Sequence, residues 1–220
     1  MRLALTACLL AIAPLAGAAD LNVSVLDRNG KPLPEAVVLV DSSVQGTRPA
    51  PVLEASITQE YLKFVPAVTV VSPGAKITFS NRDGWDHHII LGLMGAGGVY
   101  LDPGQNTQMR LAGRTGVRTA SETRALPQPG AYLLGCHIHG SMRGHIYVAD
   151  SPWAKLTNSE GKAAVQGLPE GPVRVRVWHA DQLVEGAAVS AQVAATGNAL
   201  VVNTQIAPQR RRTAQNFDHY

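Results

Sequence analysis

Residues Val173 to Val177 read Val-Arg-Val-Arg-Val, apolar and charged side chains in strict alternation, and alternation recurs along the chain. A period of two sends successive side chains to opposite faces of an extended strand, one face dry and one wet. Leu21, Val23 and Val25 repeat it, Ile77 and Phe79 repeat it, and the runs AAVSAQVA and ALVVNTQIA close the chain in the same style. Turn pairs punctuate these runs: Asn29-Gly30, Pro73-Gly74, Asp83-Gly84, Asp102-Pro103-Gly104, Pro129-Gly130 and Pro169-Glu170-Gly171. Helix signals are nearly absent, and 21 Gly with 14 Pro punctuate 220 residues. Many short strands at this spacing predict an all-β chain built as a sandwich or barrel.

The first twenty residues are MRLALTACLLAIAPLAGAAD. One charge (Arg2), an apolar run from Leu3 to Leu15 and the small residues Ala16 to Ala19 have the layout of an export signal cut after Ala18 or Ala19. The apolar run is too short to span a bilayer. Residues 1–19 are therefore expected to be removed, leaving a periplasmic chain with no membrane insertion. Of the 19 Lys+Arg only Arg2 leaves with that segment, so 18 stand against 16 Asp+Glu. Arg210, Arg211 and Arg212 lie in the terminal stretch 209–220, which reads as a basic disordered tail. The body between is near neutral and offers no footprint for nucleic acid.

Cysteine usage narrows the chemistry. Cys8 belongs to the export signal, which leaves Cys136 as the lone thiol of the mature chain. In an oxidising compartment such a thiol is expected to be buried, paired between chains, or held by a metal. Cys136 opens the stretch Cys-His-Ile-His-Gly-Ser-Met, so Cys136, His139 and Met142 put a thiolate, an imidazole and a thioether on one short loop. Soft sulfur donors with imidazole select copper, and two His, one Cys and a distant Met form the blue-copper arrangement. The second imidazole must come from another strand. His87 and His88 follow the strand AKITFSN and a glycine turn; alternation groups His87 with Ile89 and Leu91, and His88 with Ile90, so one of the two faces inward. His137 and His145 are expected to face solvent.

The segment PGAYLLGCHIHGSMRGHIYV closely resembles the copper loop of the cupredoxins, the plastocyanin and amicyanin type of blue copper protein. The two-residue gap between His139 and Met142 looks most like amicyanin. The stretch ITFSNRDGWDHHI is similar to the cupredoxin strand that carries the first ligand, and the alignment implies His87 for that role. The family's next residue is commonly an Asn that braces the Cys loop; here it is His88. The resemblance spans Leu53 to Asp150. It implies a Greek-key β-sandwich with one type 1 copper held by His87, Cys136, His139 and Met142. It also implies a carrier of single electrons rather than an enzyme, meeting transient protein redox partners. His139 would be the electron port, with Gly140, Ser141 and Leu93 to Ala96 forming an uncharged docking rim.

A second resemblance lies outside that span. NSEGKAAVQGLPEGPVRVRVWH is similar to the transthyretin-like or carboxypeptidase-regulatory-like sandwich, and LNVSVLDRNGKPLPEAVVLVDS to that module's first hairpin. Residues 20–50 with 151–208 are therefore expected to form a discontinuous β-sandwich, with the cupredoxin part (51–150) inserted. The alternative is that 20–50 packs on the inserted part as an edge hairpin. The two-part layout resembles small exported cupredoxin-like proteins often labelled methylamine-utilisation proteins.

Competing chemistries lack residues. A multicopper oxidase, like a copper nitrite reductase, needs a histidine immediately before the cysteine, where this chain has Gly135. A dinuclear copper centre needs two thiolates. Zinc remains open, because two His and one Cys with a free position is a known zinc pattern. No hydrolytic elbow, phosphate loop or HExxH is present, and no small-molecule substrate is implied. The residues also leave open a copper carrier or store without redox cycling, and a metal-free structural β-module.

Overall fold

The structure, a computed structural model, describes residues 18–209. The Arg210 to Arg212 tail and the export segment up to residue 17 lie outside the described residues.

Sixteen strands carry the fold, with two short 3-10 turns and no α-helix among the described residues. They are β1 (Ala18–Leu26), β2 (Val37–Ser42), β3 (Glu54–Glu60), β4 (Lys63–Val65), β5 (Val68–Val71), β6 (Ala75–Asn81), β7 (His87–Leu93) and β8 (Thr107–Leu111). There follow β9 (Ala120–Leu126), β10 (Gly130–Cys136), β11 (Arg143–Val148), β12 (Trp153–Leu156), β13 (Lys162–Pro169), β14 (Gly171–Trp178), β15 (Val189–Val193) and β16 (Asn198–Asn203). The all-β expectation from alternation is met throughout.

Both ends of the described chain build one sandwich. A three-stranded sheet in the order β13-β1-β16 faces a four-stranded sheet in the order β12-β2-β14-β15. β1 runs antiparallel to β13, with Leu21 opposite Val165, and parallel to β16, with Val23 opposite Leu200. The alternating apolar positions all turn inward: Val23 and Val25 meet Val38, Val40, Val173 and Val175 in a core completed by Trp153, Val165 and Leu168. Each such aliphatic side chain contributes about 1.5–3 kcal/mol by leaving water.

The middle of the chain builds a second sandwich. A five-stranded sheet (β5-β11-β10-β7-β8) faces a four-stranded one (β4-β3-β6-β9), with Ile57, Ile77, Phe79, Ile89, Leu134 and Ile146 between them. β7 and β10 are antiparallel neighbours, and Cys136 at the end of β10 stands opposite Ile89. This register brings the end of the cysteine strand beside the start of the histidine strand. That placement positions the site.

A third apolar cluster joins the two sandwiches. The Val37-Val38-Leu39-Val40 run of β2 is buried on both faces, as an uninterrupted apolar strand requires. Val38 and Val40 enter the first core, whereas Val37 and Leu39 pack with Trp178 against Val68, Ala149 and Tyr147. The Trp178 ring lies 5.1 Å from Tyr147 and 5.8 Å from His145, centroid to centroid. His145 is therefore buried, not solvent-facing as expected from the sequence. The outer face of β11 meets Trp178 of the other sandwich, and alternation within β11 carries no sign of that cover. Arg176 fastens the same seam, donating to Asp41 and to Asp150.

Candidate metal centre

Three donor side chains converge at one end of the second sandwich. His87 starts β7 and is wholly buried, Cys136 ends β10 and is buried, and His139 follows on the connecting loop, half-buried. The His87 Nδ1 to His139 Nδ1 distance is 3.1 Å, and the Cys136 Sγ lies 3.7 Å from His87 Nδ1 and 3.6 Å from His139 Nδ1. A circle through these three atoms has a radius of about 2 Å, close to a metal–imidazole bond (about 2.0–2.1 Å) and just below a metal–thiolate bond (about 2.3 Å). The three atoms are spaced as ligands around one cation. These residues could hold a metal ion.

Each donor is oriented by its strand or turn. β7 alternates, so His87 points inward with Ile89 and Leu91, while His88 points outward and is half-buried. His87 Nε2 lies 2.8 Å from the Asp83 Oδ2. A carboxylate accepts, so this contact puts the ring proton on Nε2 and turns the Nδ1 lone pair toward the cluster. Asp83 is itself buried and held: its oxygens accept from the backbone N–H of Tyr61 and of Leu62, at 2.7 and 3.2 Å. Those two residues form the tight turn between β3 and β4, both with positive φ (53° and 56°). One carboxylate thus orders a turn and a histidine ring together.

Asn81 supports that arrangement from the end of β6. Its side chain donates to the carbonyls of Trp85, Leu111 and Ala112, and its oxygen accepts from the Asp83 N–H. It therefore closes the 81–87 turn and ties it to the end of β8. Gly113 has no room for a side chain there, because a Cβ would sit 2.5 Å from the Gly84 carbonyl oxygen.

On the cysteine side, the His137 N–H donates to the His88 carbonyl at 2.8 Å, so the loop is pinned to β7 by backbone. The bracing that His88 left in doubt is supplied here without a side-chain amide. The Met142 N–H closes a turn on the His139 carbonyl at 2.9 Å, and Met142 is buried in the same core cluster as Cys136. Gly135 packs beneath Tyr100, where a Cβ would come within 2.8 Å of the phenol oxygen. Gly135 therefore has a packing role of its own.

Burial, and after it the neighbouring His87 ring, push the His139 imidazole below its ordinary pKa; Asp83 opposes the shift. Its neutral, metal-ready form is favoured accordingly. Of the three donors His139 is the most exposed. Gly140 and Ser141 beside it are exposed, as are Ile138 on the same loop and Val99 and Leu101 beyond Met94. Sequence reasoning missed Asp83, whose signal was its place four residues before His87. Among the described residues no helix is long and apolar enough to cross a membrane.

No family model and no curated protein sequence matches the chain. Similar folds occur among solved structures. Auracyanin A, a blue copper protein from the green thermophilic photosynthetic bacterium Chloroflexus aurantiacus, is 23% identical, with a TM-score of 0.33, over 44% of this chain and 98% of that one. Auracyanin from Roseiflexus castenholzii gives 20% identity and a TM-score of 0.35, over 46% of this chain and 99% of its own. A reduced amicyanin variant gives 19% identity and a TM-score of 0.31, over 48% of this chain and all (100%) of that one.

Proposed function

We propose that this protein is a periplasmic type 1 copper protein that carries single electrons between transient protein partners. The observation that carries the reading is the triangle of His87 Nδ1, Cys136 Sγ and His139 Nδ1, whose sides of 3.1, 3.6 and 3.7 Å match one small cation. A buried thiolate with two imidazoles is a soft, trigonal donor set, and Met142, buried in the same cluster, is the proposed weak fourth ligand. Copper, when bound, supplies a one-electron couple whose potential answers to the fourth ligand and to hydrogen bonding at the thiolate.

The chain's own part is to fix geometry and to control access. Asp83 holds the His87 ring, and the β7–β10 ladder holds Cys136. Burial of His87 and Cys136 keeps water from the donors. His139, the half-buried member, is the proposed electron port. Gly140 and Ser141 give it an uncharged surround suited to a small, short-lived contact.

We further propose that the first sandwich is a discontinuous domain (20–50 with 151–208) that accepts 51–150 as an insertion. The pairing of β1 with β13 and β16, and of β2 with β12 and β14, supports this reading. Limited proteolysis that released 20–50 together with 51–150 would count against it.

Copper loading of the full chain tests the function. The reading expects an intense thiolate-to-copper absorption band in the visible, bleached reversibly by reductant and lost in Cys136→Ala. A colourless protein that takes up only reduced copper would point to carriage without redox cycling. No stoichiometric copper would leave a structural module.

A further inference from the structure

The histidines of the site come in two pairs, and only one pair is used above. His87 and His139 face inward; His88 and His137 are their neighbours on the other side of the same backbone ladder. We propose that His88 and His137 form a second, solvent-accessible metal site, a two-imidazole dock for a borderline divalent cation such as Cu2+ or Zn2+.

Four observations carry this. First, the backbone sets the pair: the His137 N–H donates to the His88 carbonyl at 2.8 Å, so the two Cα atoms are held as ladder neighbours whatever the side chains do. Second, the ring centroids are 5.6 Å apart with planes at 61°. The inner pair, with its nitrogens 3.1 Å apart, has centroids at 4.9 Å. With metal–nitrogen bonds of about 2.0–2.1 Å plus the ring radius, two imidazoles on one ion place their centroids about 5–6 Å apart for ordinary bond angles. The outer pair falls inside that range without movement of the backbone.

Third, the rings are accessible and uncommitted. His137 is exposed and His88 half-buried, and among the described residues no group hydrogen-bonds to either ring. Fourth, local charge does not forbid a cation. Arg110 stands opposite His88 on β8, but its guanidinium donates twice to Asp86 Oδ2, at 2.9 and 3.3 Å. The arginine's charge is thus met by the carboxylate it grips, away from the two rings' own hydrogen-bonding atoms.

This site does not depend on which metal the inner cluster takes, or on its taking one. The test therefore disarms the inner cluster. Full-length chain carrying both His87→Ala and Cys136→Ala is equilibrated with Cu2+, and bound copper is counted by dialysis. One equivalent is expected, reduced to none when His88→Ala and His137→Ala are added. Absence of bound copper in the disarmed chain, or its persistence after both outer histidines are replaced, overturns the proposal. Because the disarmed chain could fail to fold, Zn2+ titration of the unaltered protein followed by imidazole nitrogen resonances gives an independent reading. His88 and His137 should shift together as Zn2+ is added, and their remaining still under excess Zn2+ would contradict the site.

Discussion

The two sandwiches share a layer plan and differ in what they bury. The first is filled with Val, Leu, Ala, Ile and Trp, and its buried Asp27 and Thr157 serve only turns and neighbouring backbone. The second is apolar along most of its length but ends in Cys136, His87, Asp83 and Asn81, buried and bonded to one another or to backbone. A buried polar group costs stability unless it is hydrogen-bonded. The second sandwich meets that cost with a connected network running from the Tyr61–Leu62 turn through Asp83 to the ring of His87. One fold plan thus serves two ends. A mostly apolar core gives the first sandwich a stable seat, and polar side chains at inward positions give the second a site.

That contrast is sharpest under matched core truncations. Phe79→Ala in the second core should cost about 3–5 kcal/mol and Leu168→Ala in the first about 2–5 kcal/mol, read by urea unfolding. The two should differ in metal response. Added copper should raise the unfolding midpoint of both, and the visible band of folded Leu168→Ala should be unchanged, whereas Phe79→Ala, which opens a cavity in the core that holds Cys136, should broaden it. Identical spectra would mean that the site is indifferent to its own core.

Next in size is the loss of the orienting carboxylate. Asp83→Ala leaves His87 Nε2 and two turn N–H groups without their acceptor, so the metal-free protein should lose about 1–3 kcal/mol. Metal affinity, measured by competition with a chelator, should fall about 10–100-fold. Truncating Asp27, which also accepts from turn N–H groups in the other sandwich, should leave metal affinity untouched. Equal effects of the two on affinity would erase the distinction drawn between the sandwiches.

The smallest effect is on pH dependence. His139 has its pKa lowered from an ordinary 6.5 by burial and by His87, so the unfolded chain binds its proton more readily than the folded one. The stability contributed by neutral His139 is complete above pH 6.5 and declines as pH falls through the window between 6.5 and the lowered folded value. Metal-free protein should therefore be less stable below that point, and His139→Ala should flatten this part of the curve. An unchanged slope in the variant would place the titration elsewhere.

The strands of both sandwiches could be read from the sequence because alternation and turn pairs are local. Val173 and Val175, Ile77 and Phe79, and His87 with Ile89 all fall on the face that period two assigns. The close approach of the loop to a distant strand was legible from spacing: Cys136 and His139 needed an imidazole from elsewhere, and β7 lies beside β10. What escaped depends on contacts between layers. The double burial of β2 and the covering of His145 by Trp178 arise where one sandwich meets the other, and no strand records its outer neighbour. Asp83 escaped for a different reason. An Asp-Gly pair announces a turn, and only the folded turn aims that carboxylate at His87.

The central claim is that His87, Cys136 and His139 together hold one metal ion. X-ray absorption fine structure of the copper-loaded full chain measures this most directly. The account predicts one sulfur and two imidazole nitrogens in the nearest shell, with the sulfur lost in Cys136→Ser. A nearest shell of nitrogen and oxygen alone in the unaltered protein would contradict it.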